Sequence, residues 1–163
     1  MLVALCPIAA PAKTPMSPQT CLVLGIADGD TFTARCGVLG AYKQLKVRLS
    51  EIDAPELKGH QPFGQRSKES LSDLCFQVMA TITPTAIDRY GRTVARVECR
   101  GMDANLEQVR TGMAWAYTKY LTDQSVFNAE LTARQQHLGL WRDNGPMAPW
   151  NFRKVQTGKA AAP

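Results

Sequence analysis

Residues 21–36 read CLVLGIADGDTFTARC. Two strand-forming runs flank Asp28-Gly29-Asp30. Glycine there supplies backbone freedom, and aspartates bond readily to nearby amides, so the triplet reads as a turn. The first run, CLVLGIA, is apolar and partly β-branched, whereas the second, TFTARC, alternates. Together they read as a β-hairpin. Pairing would bring Cys21 and Cys36 side by side, which makes Cys21–Cys36 the expected first disulfide.

Working outward, QLKVRL (44–49) alternates as a third strand and GQRSKESLSDL (64–74) reads as a helix. FQVMATI (76–82) is a fourth strand, followed by a Pro-led loop and Asp88-Arg89-Tyr90-Gly91-Arg92. TVARVECR (93–100) is a fifth strand, with Ala95, Val97 and Cys99 on one face. Asp103 can cap a helix running through Leu106 and Val109 that ends at Gly112. Asp123 or Ser125 can cap a longer helix with Phe127, Leu131 and Leu138 on one stripe, stopped by Gly139. Three strands, a helix, two strands and further helices define an α+β, mainly β chain. The expected architecture is a five-stranded OB barrel with about three packed helices.

The length of 163 residues suits one domain with a tail at each end. The expected boundaries are a domain over 20–152, a flexible Pro-rich lead-in over 13–19 and a disordered tail over 153–163. Residues 1–12, MLVALCPIAAPA, carry no charge and are too few to span a bilayer. With Ala10-Pro11-Ala12 as a small-x-small cleavage site, they read as the end of a secretory signal whose positive start is missing; a merely disordered N-terminus is the alternative. The expectation is an exported protein, periplasmic or secreted, with no stable membrane association, and a monomer. Removing that segment leaves Cys21, Cys36, Cys75 and Cys99, enough for two disulfides in one of three connectivities. Cys75–Cys99 is the pairing left over; buried free thiols are the alternative. No CxxC or Cys/His spacing points to zinc. The net charge of +5 and pI of about 9.1 suit a polyanionic partner, and equally a soluble surface.

Three short motifs carry the chemistry: Asp28-Gly29-Asp30-Thr31, the stretch Arg48–Glu56 (RLSEIDAPE), and Asp88–Arg92 (DRYGR). Each alone is compatible with a charged turn. Together they supply hard oxygen donors for Ca²⁺ in Asp30 and Asp53. Arg48 and Arg92 are planar guanidinium forks suited to phosphate. Glu56 is a carboxylate able to take a proton from water. The set suits phosphodiester hydrolysis. One obstacle stands out. Arg48 and Asp53 are five residues apart, so a straight strand would point them to opposite faces. They share a site only if the chain bends near Ser50–Ile52.

DGDTF, RLSEIDAPE and DRYGR, in this order and at these separations, resemble the staphylococcal nuclease family. The resemblance covers about residues 20–142. It includes NLEQVRTGMAW and the late helix ending in GLW, and PWNFRK resembles the endings of exported bacterial members. It implies an OB barrel with packed helices and Ca²⁺-dependent cleavage of DNA and RNA that leaves 3′-phosphate ends. Matched by motif, Asp30 and Asp53 are metal carboxylates and Ala54 lends a backbone carbonyl where the best-known member has threonine. Arg48, Glu56 and Arg92 match the catalytic trio. Tyr90 matches an aromatic beside the bound nucleotide, and Tyr120, with Tyr117 close by, a second. Recognition through phosphate, metal and stacking reads few base edges, so sequence preference should be weak and single-stranded regions favoured. The rival reading is a non-catalytic OB module that binds nucleic acid.

Overall fold

A computed structural model of the chain describes residues 16–158. The expected signal segment and the lead-in up to residue 15 lie outside the described residues. The strands are β1 Gln19–Asp28, β2 Thr31–Cys36, β3 Lys43–Leu49, β4 Ile52–Asp53, β5 Met79–Ile87, β6 Thr93–Cys99, β7 Met102–Asp103 and β8 Trp115–Ala116. The helices are α1 Gly64–Cys75, α2 Ala104–Arg110, α3 Gln124–Gln135 and α4 Pro149–Gln156, with 3₁₀ turns at Thr118–Tyr120 and Gly139–Arg142.

β1 and β2 form the expected hairpin, with Cys21 opposite Cys36. The sheet runs β3-β2-β1-β5-β6 and closes through a parallel β3–β6 pairing. The result is a five-stranded mixed barrel, consistent with an OB fold. Its interior is apolar: Val23, Phe32, Val47, Leu49, Ile82 and Val97 are almost wholly buried, and α1, α2 and α3 add Leu71, Val109 and Val126. Two disulfides, Cys21–Cys36 and Cys75–Cys99, tie β1 to β2 and the end of α1 to β6.

Several sequence expectations shift. The fourth strand begins at Met79, not Phe76, because Gln77 takes a positive φ of 57° in the turn out of α1. The strand then runs through Pro84, where its register with β6 slips; a bulge is where a sheet accommodates proline. On α3 the inward residues are Val126, Glu130 and Ala133, while Leu131 is exposed. Glu130 is buried because its Oε2 accepts a 2.6 Å bond from the Ala116 amide and Oε1 accepts from Arg134. Among the described residues there are four α-helices, in keeping with about three, and α4 crosses the expected start of the disordered tail at residue 153.

The register gathers one mouth of the barrel. Thr31 pairs with Arg48, and Arg48 with Val94, so the β1–β2 turn, the exit of β3 and the β5–β6 turn converge there. Gly29 permits a close approach at this mouth. A Cβ on it would stand 1.8 Å from Ser67 Oγ and 2.8 Å from the Ala54 Cβ. Only glycine lets α1 and the loop after β4 press onto the turn.

Candidate active site

The bend that the sequence requires between Arg48 and Asp53 is present. Leu49 and Ser50 leave β3 by donating their amides to Asp30 O and Ala95 O. Glu51 then adopts φ 64°, in the left-handed region, which costs a non-glycine residue about 1 kcal/mol or more. Its side chain offsets that cost: Oε1 accepts from the Thr122 and Asp123 amides and Oε2 from Arg96 Nη1. The chain re-enters extended conformation as β4, paired with β8. Buried Asn105, on α2, braces the turn. Its amide donates to Ser50 O, Ser50 Oγ and Ala95 O and accepts from the Val97 N–H.

The reversal points Arg48 and Asp53 into one site. Arg48 Nη1 donates to Leu49 O and Ile52 O. Its Nη2 lies 2.7 Å from Asp53 Oδ1 and 3.2 Å from Asp30 Oδ2. Asp30 also accepts from the Thr31 hydroxyl and, at 3.0 Å, from the Ala54 N–H, which fastens the β1–β2 turn to the residue after β4. Arg92 is oriented by Asp88, which accepts from its Nε at 2.7 Å and from its amide. Arg92 Nη1 reaches Thr31 Oγ1 at 3.5 Å. Glu56 is placed by buried Gln61, whose Oε1 accepts from the Glu56 amide and whose Nε2 donates to Met147 O.

Asp30 and Asp53 are buried carboxylates facing one another across Arg48. Burial pushes Asp30 up, but the Arg48 guanidinium, the Ala54 amide and the Thr31 hydroxyl together hold it below the usual aspartate range. For Asp53, burial and the Asp30 charge outweigh its guanidinium partners, leaving it raised. Burial and the neighbouring Asp30 charge push Asp28 up to about 7. This crowding of negative charge is the electrostatic condition under which a cation is favoured.

Two residues to which the sequence reading gave no role belong to this cluster. Asp28 is one, and its place in the DGD triplet is the signal that could have marked it. The other is Arg153 of α4. Its Nη2 lies 2.7 Å from Asp53 Oδ2, and its Nη1 donates to Asp53 Oδ1 at 3.2 Å and to Glu56 Oε1. Tyr90 is exposed beside Arg92, whose guanidinium carbon lies 5.5 Å from its ring centroid. Tyr120 is not in direct contact with the carboxylates. It packs edge-on against Tyr117, which stacks on Trp150 of α4 at 5.3 Å. Among the described residues, no three His, Cys, Asp or Glu side chains form a ready metal cage.

A barrel that gathers guanidiniums, buried acids and an exposed aromatic at one mouth defines a class of enzyme built to handle phosphate esters. Comparison with known proteins agrees. Residues 46–143 match the family model described as staphylococcal nuclease homologue, and the chain belongs to that family. It is 46% identical to an uncharacterized endonuclease of Haemophilus influenzae over 85% of this chain and 75% of the relative. It is 38% identical to a micrococcal nuclease of Shigella flexneri over 82% of this chain and 79% of the relative. The protein is a nuclease, a hydrolase of phosphodiester bonds.

Proposed function

We propose that the chain is a Ca²⁺-dependent endonuclease that cleaves DNA and RNA with little sequence preference and leaves 3′-phosphate ends. One observation carries the reading: a continuous set of contacts runs from Arg92 through Thr31, Asp30, Arg48, Asp53 and Arg153 to Glu56. The donor chemistry fits a hard cation. Asp30 and Asp53 present carboxylate oxygens and the Ala54 backbone abuts Asp30, while the four cysteines among the described residues are tied up in disulfides. Asp30, Asp53 and the Ala54 carbonyl would hold the ion, which would polarise a phosphate oxygen and neutralise charge developing on it.

The side chains divide the remaining work. Glu56 orients water and takes its proton as the water oxygen bonds to phosphorus. Arg48 and Arg92 neutralise charge on the phosphate oxygens as the bond to the 5′-oxygen breaks; the departing 5′-oxygen, assisted by Arg92, takes a proton from water and leaves as a hydroxyl, with phosphate on the 3′ side. Asp88 keeps the Arg92 fork pre-oriented. Tyr90, exposed beside Arg92, offers a ring for stacking without reading base edges. The two disulfides support work in an oxidising compartment, periplasmic or extracellular. Among the described residues no helix is long and apolar enough to cross a membrane.

The test is degradation of plasmid DNA and of RNA by purified protein, with Ca²⁺, with excess chelator, and with Arg48→Ala. Cleavage lost in both controls supports the reading. Binding without cleavage in Ca²⁺ would replace it with a non-catalytic nucleic-acid module.

A further inference from the structure

Arg153 stands 97 residues beyond Glu56 in sequence, yet its guanidinium joins Glu56 to Asp53. Helix α4 carries it there, and that helix is firmly seated. Trp150 stacks on Tyr117 with planes 6° apart and meets Trp115 edge-on at 5.7 Å. Pro149 is buried at the first helical position, where its fixed φ suits a helix start. Phe152 packs against Gly59, in the loop that also holds Glu56. The position of Arg153 is therefore set by the fold.

The contacts leave little room for a second cation. Each carboxylate oxygen has about two acceptor sites. Asp53 Oδ1 already accepts from Arg48 and Arg153, and Oδ2 accepts from Arg153. A divalent ion bound to Asp53 would also lie within a few ångströms of the guanidinium charge, and like charges at that range repel strongly in a half-buried site. The Arg153 side chain is 41% exposed, against 14% for Arg48, so it has solvent to move into while Arg48 does not.

We infer that Arg153 is an internal placeholder for the metal: its guanidinium neutralises Asp53 and Glu56 in the metal-free protein, competes directly with Ca²⁺, and leaves when the ion binds. The inference rests on the assignment of Asp53 as a cation ligand. It makes Arg153 a positioning residue that sets metal affinity and prevents unpaired acids from opening the bend between β3 and β4.

Calorimetric titration with CaCl₂ alone, without nucleic acid, tests it on wild type, Arg153→Ala and Arg153→Lys. Loss of a charge-assisted bidentate competitor should tighten Ca²⁺ binding about ten- to a hundredfold in Arg153→Ala. Arg153→Lys keeps the charge but loses the fork, so it should fall between the two. Melting in chelator supplies the second readout: Arg153→Ala should melt below wild type, and added Ca²⁺ should raise its Tm more than that of wild type. Equal or weaker Ca²⁺ binding by Arg153→Ala overturns the inference and leaves the nuclease reading intact. If Arg153→Ala does not fold, a Lys variant that binds Ca²⁺ no more tightly than wild type overturns it. Absence of Ca²⁺ binding by every variant removes both the inference and the metal assignment beneath it.

Discussion

Replacing Asn105 tests whether the β3–β4 bend is what makes the site. Its side chain is wholly buried and makes four hydrogen bonds, three as donor to Ser50 O, Ser50 Oγ and Ala95 O and one as acceptor from Val97 N–H. Ala95 O keeps a second partner, the Ser50 amide at 2.8 Å, so its loss is small. The Val97 N–H and Ser50 O lose their bond to this side chain. At about 1–3 kcal/mol for each buried group left unpaired, Asn105→Ala should cost roughly 2–6 kcal/mol, a large part of a typical 5–15 kcal/mol stability. Asn105→Asp is more diagnostic. The acceptor facing Val97 survives, but a carboxylate oxygen replaces the donor and meets two carbonyl oxygens. The folded state then favours the protonated acid, so its pKa rises above the unfolded value of about 3.9. A raised folded pKa gives stability that is complete below about pH 4 and lost as pH climbs, at about 1.4 kcal/mol per pH unit until the folded pKa is reached. Urea unfolding at pH 4.5 and pH 8 should therefore show a pH-dependent deficit for the Asp variant and a constant one for the Ala variant. Folded Asn105→Ala should also lose about a hundredfold in turnover if the bend relaxes by about 1 Å. A pH-invariant deficit under about 1 kcal/mol in Asn105→Asp would refute the reasoning, because it would mean that the amide donates to neither carbonyl.

Other outcomes follow from the same geometry. Glu56→Gln should retain Ca²⁺ and nucleotide binding yet lose most turnover; unchanged turnover removes Glu56 from proton transfer. Asp28→Asn should gain on metal-free wild type as pH rises. A carboxyl pushed up to about 7 gives stability fully present below about pH 4 and lost through about pH 7, so melts at pH 4.5 and 8 with an unchanged gap would contradict the burial of Asp28 and its crowding by Asp30. Reducing both bridges, which close separations of 15 and 24 residues, should lower stability by about 3 kcal/mol each on a chain-entropy basis. Urea midpoints that do not move under reductant would show that the thiols are unpaired in solution.

The motifs were legible because each is local. DGD is a turn by its own chemistry, and the alternation of TFTARC and QLKVRL names the strands that flank it. Once Thr31 and Arg48 are paired across β2 and β3, Asp30 and Arg48 must be neighbours. The bend was legible only as a requirement. Nothing in Ser50-Glu51-Ile52 announces a left-handed residue, since the usual marker is glycine or asparagine and the position holds glutamate. What stabilises it comes from Arg96, Thr122 and Asp123, far along the chain. The α3 stripe held in part: Phe127 and Leu138 pack inward, but Leu131 is exposed, for a related reason. Apolar periodicity looks for hydrophobic residues on the inward face, and the inward position there is Glu130, buried by bonds to the Ala116 amide and to Arg134.

Helix α4 shows where sequence reading runs out. At eight residues it is too short to stand on helix propensity. Its stability comes from Trp150 against Tyr117 and Trp115, and stacking partners leave no mark in local periodicity. Pro149 was the one local sign of a start. Yet α4 delivers the cation that completes the site. Arg48 bridges Asp30 and Asp53, Arg153 bridges Asp53 and Glu56, and Glu56 has no other salt-bridge partner among the described residues. With Arg153 included, Asp30, Asp53 and Glu56 face two guanidiniums, leaving one negative charge in excess before Asp28, whose carboxyl is pushed up to about 7, is counted. A motif names the groups that meet the substrate, but the charge balance that lets them be buried is a property of the folded chain. It is written in whichever distant helix has room to supply it.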